Sequence, residues 1–272
     1  MIYIIGHSHA INPVQALSAA GTGIDHANWI SDGAGKGFTP MELRPQFGIQ
    51  DKAQYIILNP AKSMTASFGA AIPGQPRQIS LSRPYHTLLQ SMENAPTTRI
   101  FAFLQGNEAA TLSLIENRPP LDFMRSGDKI PASPEHQIVS RALIQKHMLV
   151  MCMEATAMAE ALRAMLPQAI IIMPAPPPPI PSAEQIMANP EAFGDMLKDC
   201  NITQASVRMK YYQEYMSLMH SVCEQLTLGF MVPPGQALTE DGFLAEGYWL
   251  GATHGNMRYG ELVAAQIAEL SR

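Results

Sequence analysis

The chain is poor in charge, poor in cysteine and without a long apolar run. Charged residues make up only 15% of its 272 residues and hydrophobic ones 47%, which excludes a disordered, solvating chain. No two of its 18 Lys and Arg are adjacent, and the net charge is −5. A protein that grips nucleic-acid phosphates needs a basic cluster, so that class is excluded. Cys152, Cys200 and Cys223 are odd in number and share no C-x-x-C spacing. Neither a disulfide framework nor a zinc knuckle is expected; reduced thiols and a cytoplasmic location are. The start, MIYIIGHSHA, lacks a basic region and its apolar run is five residues, so no signal peptide is expected. The most apolar helical stretch, 148–166, carries Glu154, Glu160 and Arg163, which argues against a membrane span.

What the chain does have is an alternation of short apolar runs and amphipathic stretches. Runs at 2–5, 54–58, 99–104, 169–173 and 228–232 read as buried strands, and the first meets Gly6 at once. Helices are expected after Asn12-Pro13, near Pro84, after Glu108, over 141–166, over 202–226 and over 256–270. In the last, Val263, Ile267 and Leu270 should face inward. The 18 methionines fall mostly at helical spacing and read as core filler. Such strand–helix alternation implies a mainly parallel α/β sheet with helices on both faces. Residues 1–272 read as a single domain with irregular insertions near 30–80, 117–136 and 174–200. The tract PAPPPPIP at 174–181 reads as a stiff polyproline strand exit, with docking of an SH3-like partner as the alternative.

In parallel sheets of this type, sites form beyond the carboxyl ends of the strands. Three polar residues stand there: Ser8 after the first strand, Asn107 after the strand at 99–104, and His254 before the last helix. A serine hydroxyl needs a base within hydrogen-bond reach to act as a nucleophile, and histidine is the usual one. A serine opening a helix presents its N–H to a developing oxyanion, and an asparagine amide can give a second bond.

Strand–GHS at 6–8, strand–GNE at 106–108 and a histidine just before the final helix resemble the SGNH (GDSL-like) hydrolases. RPPLDF at 118–123, DGFL at 241–244 and THGNMRYG at 253–260 are similar to a proteobacterial branch of unassigned substrate. The resemblance implies a flavodoxin-like three-layer α/β/α sandwich. It implies an esterase, deacetylase or acyltransferase acting on a small-molecule, carbohydrate or lipid ester, with no cofactor and no metal. Ser8 matches the nucleophile, Asn107 the oxyanion donor and His254 the general base. Two positions depart from the pattern. His7 stands where the family has aspartate, and Gly251 stands where an aspartate orients the histidine. Asp241, with Glu246 near it, is the expected substitute; a backbone carbonyl serves in some members. The glycine that completes the oxyanion hole is open among Gly33, Gly35 and Gly69.

Rival readings follow from the same residues. The missing aspartate favours a non-catalytic protein that keeps the fold. His7, His9 and His26 with Asp25 or Asp32 could form a metal hydrolase site, but no helical H-x-x-x-H pair supports it. DGAGK at 32–36 lacks the spacing of a phosphate loop. Tyr248 and Trp249 could wall a substrate pocket or pack the core.

Overall fold

The computed structural model of the chain describes residues 1–20, 38–58, 69–71, 79–92, 98–104, 106–125 and 135–272. In chain order the elements are β1 (Ile2–Gly6), α1 (Ile11–Leu17), β2 (Thr39–Met41), β3 (Ala53–Ile57), β4 (Gly69–Ala71), β5 (Ile79–Leu81), α2 (Arg83–Met92), β6 (Arg99–Phe103) and α3 (Glu108–Ser113). Then come β7 (Leu121–Phe123), β8 (Gln137–Val139), α4 (Arg141–Met151), α5 (Met153–Met165), β9 (Ile170–Pro174), α6 (Ala183–Ala188) and α7 (Gly194–Leu197). The chain closes with α8 (Ala205–Gln225), β10 (Gly229–Met231), β11 (Trp249–Leu250), β12 (His254–Gly255) and α9 (Met257–Leu270).

Six strands form the main sheet in the order β10-β9-β6-β1-β3-β2. All neighbours are parallel except the edge pair β2–β3. The mixed α/β architecture with a mostly parallel central sheet is thus the one the sequence implies. Side chains alternate across each strand. Tyr3, Ile5, Ile100 and Ala102 join the core under α2, α4, α5 and α8. Ile2, Ile4, Phe101 and Phe103 join the opposite core under α1 and α9. Helices on both faces explain why the strand runs are apolar throughout. β1 is central, and a Cβ at its last residue, Gly6, would collide with Phe103 of β6.

Several elements differ from expectation, each for a local reason. The helix expected over 141–166 is two, α4 and α5, joined at Cys152. Its apolar stripe runs unbroken through the joint: Ile144, Met148, Cys152, Ala155, Ala159 and Leu162 are all buried. Asn12 lies inside α1 rather than capping it, and its amide donates to the Gly255 carbonyl at 2.7 Å. Leu270, expected inward, is exposed at the end of α9. The stretch 117–136, expected as loop, contributes β7, which pairs in parallel with β8. Short strands of three residues leave little periodic signal.

The proline tract is not a docking loop. Residues 171–178 are buried in an unbroken run, and Pro179 and Pro181 are half-buried, which leaves no extended proline face for an SH3-like partner. Prolines bring no N–H, so only carbonyls need partners there, and α8 supplies them. Tyr212 Oη donates to the Pro176 carbonyl at 2.9 Å. The buried Arg208 guanidinium donates to the carbonyls of Ile180, Pro181 and Thr203. Arg208→Ala would leave those carbonyls orphaned and should lower stability by about 2–4 kcal/mol. Urea unfolding measures this; a loss under about 1 kcal/mol would mean that water replaces the guanidinium.

Candidate active site

The site is assembled at the carboxyl ends of β1 and β6 and at the loop before α9. After Gly6 the ladder runs one residue further, with His7 N donating to the Phe103 carbonyl at 3.1 Å. The chain then turns at once into a single 3-10 turn, Ser8–Ala10, that leads into α1. His7 Nδ1 donates to the Leu58 carbonyl at 3.1 Å, which ties this turn to the end of β3. Burial lowers the His7 pKa against a smaller opposing effect of that bond, so the ring is neutral near pH 7.

Ser8 is exposed, and its Oγ lies 2.9 Å from His254 Nε2. His254 Nδ1 lies 3.0 and 3.1 Å from the two carboxylate oxygens of Glu191. Glu191 Oε2 also accepts from the N–H of Ala252 at 2.9 Å, the N–H of Thr253 at 3.3 Å and the Thr253 hydroxyl at 3.3 Å. Burial acts to raise the Glu191 pKa; the bonds from His254 and the two backbone N–H groups outweigh it and hold the pKa below the usual carboxylate value. A carboxylate thus faces the imidazole nitrogen remote from Ser8, which fixes a proton on Nδ1 and leaves Nε2 as the acceptor for the serine.

Asp241, expected as the acid, does not take this place. It is exposed, and the imidazole meets Glu191 instead. Glu246 is exposed as well. The acid at 191 and the glycine at 251 go together sterically. A Cβ on Gly251 would fall onto the Glu191 carboxyl group, and Gly251 sits at φ +59°. Glu191 itself has φ 51°, a region in which non-glycine residues are uncommon. An acid attached at 251 and the acid at 191 would claim one volume. Glu191 follows Asn189-Pro190 in an insertion that the sequence leaves irregular. Its only sequence signal is an acid beside a proline, read together with the vacancy at 251.

Asn107 stands at the N-cap of α3, yet its side chain caps nothing. It lines, with His7, Ser8 and Glu108, a cleft of about 360 Å³. Glu108 folds back so that Oε2 accepts the Gly106 N–H at 2.8 Å. Burial raises its pKa in spite of this bond and a Tyr215 hydroxyl. His9 stacks on His254, with ring centroids 4.4 Å apart and 25° between planes. Burial, then the charge of His254, pushes its pKa well below the ordinary histidine value.

The remaining candidates lie elsewhere. Trp249 Nε1 donates to the Leu244 carbonyl at 2.6 Å, and the Tyr248 ring lies under the Arg258 guanidinium. Gly69 belongs to the β4–β5 pair. Gly33, Gly35, Asp25, His26, Asp32 and Trp29 lie outside the described residues. Among the described residues, no three His, Cys, Asp or Glu side chains are grouped to hold a metal ion, and no helix is long and apolar enough to cross a membrane.

No family model and no curated protein matches the sequence. Solved structures do match in shape. A GDSL-like lipase from Bacteroides thetaiotaomicron is 10% identical with a TM-score of 0.44, covering 99% of this chain and 86% of that one. The aryl esterase of M. smegmatis is 13% identical with a TM-score of 0.41, covering 99% and 96%. The periplasmic domain of a Salmonella lipopolysaccharide acetyltransferase is 10% identical with a TM-score of 0.47, covering 99% and 82%.

The neutral histidines give stability a defined pH dependence. A histidine whose pKa is lowered by folding binds its proton more readily in the unfolded chain. Stability is therefore lost as pH falls below the unfolded value of about 6.5, by up to about 1.4 kcal/mol per pH unit for each ring. Glu108, raised by burial, acts in the opposite sense from the usual carboxylate value upward. The His9→Phe variant should therefore show a shallower loss between pH 7 and 5 than the wild type in urea titrations. Parallel curves would mean that His9 takes up its proton freely in the folded protein.

Proposed function

We propose that this chain is a serine ester hydrolase or acyltransferase of the SGNH type that works through an acyl-enzyme on Ser8. The observation that carries the reading is the hydrogen-bonded series Ser8–His254–Glu191, built from three remote stretches of sequence. Glu191 beside His254 supports the catalytic reading over a non-catalytic scaffold, because it supplies an acid for the empty place at 251; the His7 departure is not answered by it.

Ser8 Oγ attacks the ester carbonyl carbon while its proton passes to His254 Nε2. The negative charge gathers on the former carbonyl oxygen, where the Asn107 amide and the Ser8 backbone N–H donate to it. The carbon–oxygen bond to the alcohol then breaks, and His254 returns the proton to the leaving oxygen. Water, or an acceptor alcohol, repeats the sequence in reverse and frees Ser8. The Glu191 carboxylate stabilises the imidazolium that forms twice in each cycle. It also keeps the ring in the tautomer that can accept the serine proton. The substrate is a small-molecule ester, and the protein works in the cytoplasm.

Purified protein should hydrolyse p-nitrophenyl acetate, and a fluorophosphonate probe should label it at Ser8. Ser8→Ala and His254→Ala should each reduce kcat by at least about 10³-fold with an unchanged unfolding midpoint. Wild-type-like turnover in either variant would remove the mechanism.

The shared volume at positions 191 and 251 makes a second test. Glu191→Gly should cost on the order of 10²–10⁴-fold in kcat. Gly251→Asp alone should also be impaired, because its Cβ would fall on the Glu191 carboxyl and φ +59° strains a non-glycine residue. The paired change Glu191→Gly with Gly251→Asp should recover activity over Glu191→Gly alone. A pair no better than Glu191→Gly would show that orientation at 191 matters beyond supplying an acid.

A further inference from the structure

His9 is not assigned a part in the chemistry above, yet it lies between two groups that are. One face of its ring stacks on His254. On another side lies the Gly106–Asn107 turn: a Cβ on Gly106 would sit 3.8 Å from His9 Cδ2. The Nε2 of His9 and the Oδ1 of Asn107 are both buried, and neither is in a well-formed hydrogen bond. The two side chains are neighbours nonetheless: Asn107 and the Gly106 backbone carbonyl both act on the His9 ring as acceptors that favour its protonated form, and they compete for the one N–H of the neutral ring.

An asparagine amide has two ends of nearly equal shape and opposite hydrogen-bonding sense. If Asn107 is to donate to an oxyanion, something must hold its oxygen and turn its NH₂ group toward the serine. The helix it opens does not, since the side chain makes no capping bond. We infer that His9 is a positioning residue that donates its Nε2–H to Asn107 Oδ1, while its ring plane holds the imidazole of His254. Two buried orphans are satisfied by one bond, and one side chain sets both the base and the oxyanion donor. The geometry stands without the esterase reading; its catalytic consequence rests on it.

The neutral ring has a single proton, which gives the inference a sharp alternative. A proton on Nδ1 would leave Nε2 as an acceptor, draw the Asn107 NH₂ toward it and point the amide oxygen at the serine. That arrangement would repel an oxyanion.

Nitrogen-15 NMR of histidine-labelled wild-type protein reads the tautomer directly. The expected result is a neutral His9 with its proton on Nε2 at neutral pH and above, and a loss of that preference in Asn107→Ala. A proton on Nδ1, or a preference untouched by Asn107→Ala, overturns the inference. Kinetics with p-nitrophenyl acetate give the second arm. His9→Phe keeps a flat ring against His254 and removes both ring nitrogens, so the Asn107→Ala background is what isolates the bond to Asn107. It should lower kcat about tenfold with KM within threefold, and the same change should cost less than twofold once Asn107 is alanine. An equal factor in both backgrounds would mean that His9 acts by another route. If the wild type shows neither turnover nor labelling at Ser8, the esterase reading falls, and the NMR measurement alone decides the His9–Asn107 contact.

Discussion

The Glu191 carboxylate occupies space that any side chain at position 251 would need, and the rest of the site follows from that exclusion. Gly251 at φ +59° turns the chain so that the N–H groups of Ala252 and Thr253 both point at Glu191. Glu191 meets them from a backbone conformation that costs a non-glycine residue roughly 1–3 kcal/mol. Such a conformation persists only where its surroundings over-determine it. Here three donors from the 252–253 turn and the His254 ring converge on one carboxyl group. With Nδ1 of His254 so held, Nε2 has one direction left, and Ser8 lies along it. The acid does not merely assist the histidine; it fixes the loop that carries it.

How much of this could be read from the sequence depended on whether the signal was periodic or spatial. The parallel strands were legible because helices cover both faces, so their residues are apolar throughout; Ile2–Gly6 is buried at every position. The polar residues that follow β1 and β6 were legible because strand ends in such sheets converge. Glu191 was not, because its part rests on a left-handed backbone and on contact with a turn more than sixty residues away. Asp241 was the nearer acid in sequence, and nearness in sequence carries little weight inside a long loop. The joint at Cys152 is hidden for the opposite reason: the apolar stripe continues through it, so the pattern gives no sign of a break.

The proline tract shows the same division. Its composition foretold a stiff extended segment. Composition could not say whether that segment would be exposed, because exposure is decided by what satisfies its carbonyls. Arg208 and Tyr212 do so from α8, a helix whose buried face is wider than a simple amphipathic stripe: Val207, Tyr211 and Tyr215 face the sheet's core while Arg208 and Tyr212 reach the prolines. A buried arginine would be costly alone. It is tolerable here because three backbone carbonyls, of Ile180, Pro181 and Thr203, accept from the guanidinium.

The two histidines beside Ser8 obey a similar electrostatic requirement. His254 must carry a positive charge for part of each catalytic cycle in the proposed mechanism, and His9 lies face to face with it at 4.4 Å. Two unit charges at that distance repel by about 4 kcal/mol even at an effective dielectric of 20. A protonated His9 would oppose the imidazolium by that amount at the moment it forms. Burial against the Gly106–Asn107 turn removes the difficulty in advance by keeping His9 neutral. His7, also lowered by burial and bonded to Leu58, adds no charge from the other flank. The histidines that flank the serine in sequence are thus, once folded, neutral neighbours of a base whose Nδ1 faces the carboxylate of Glu191.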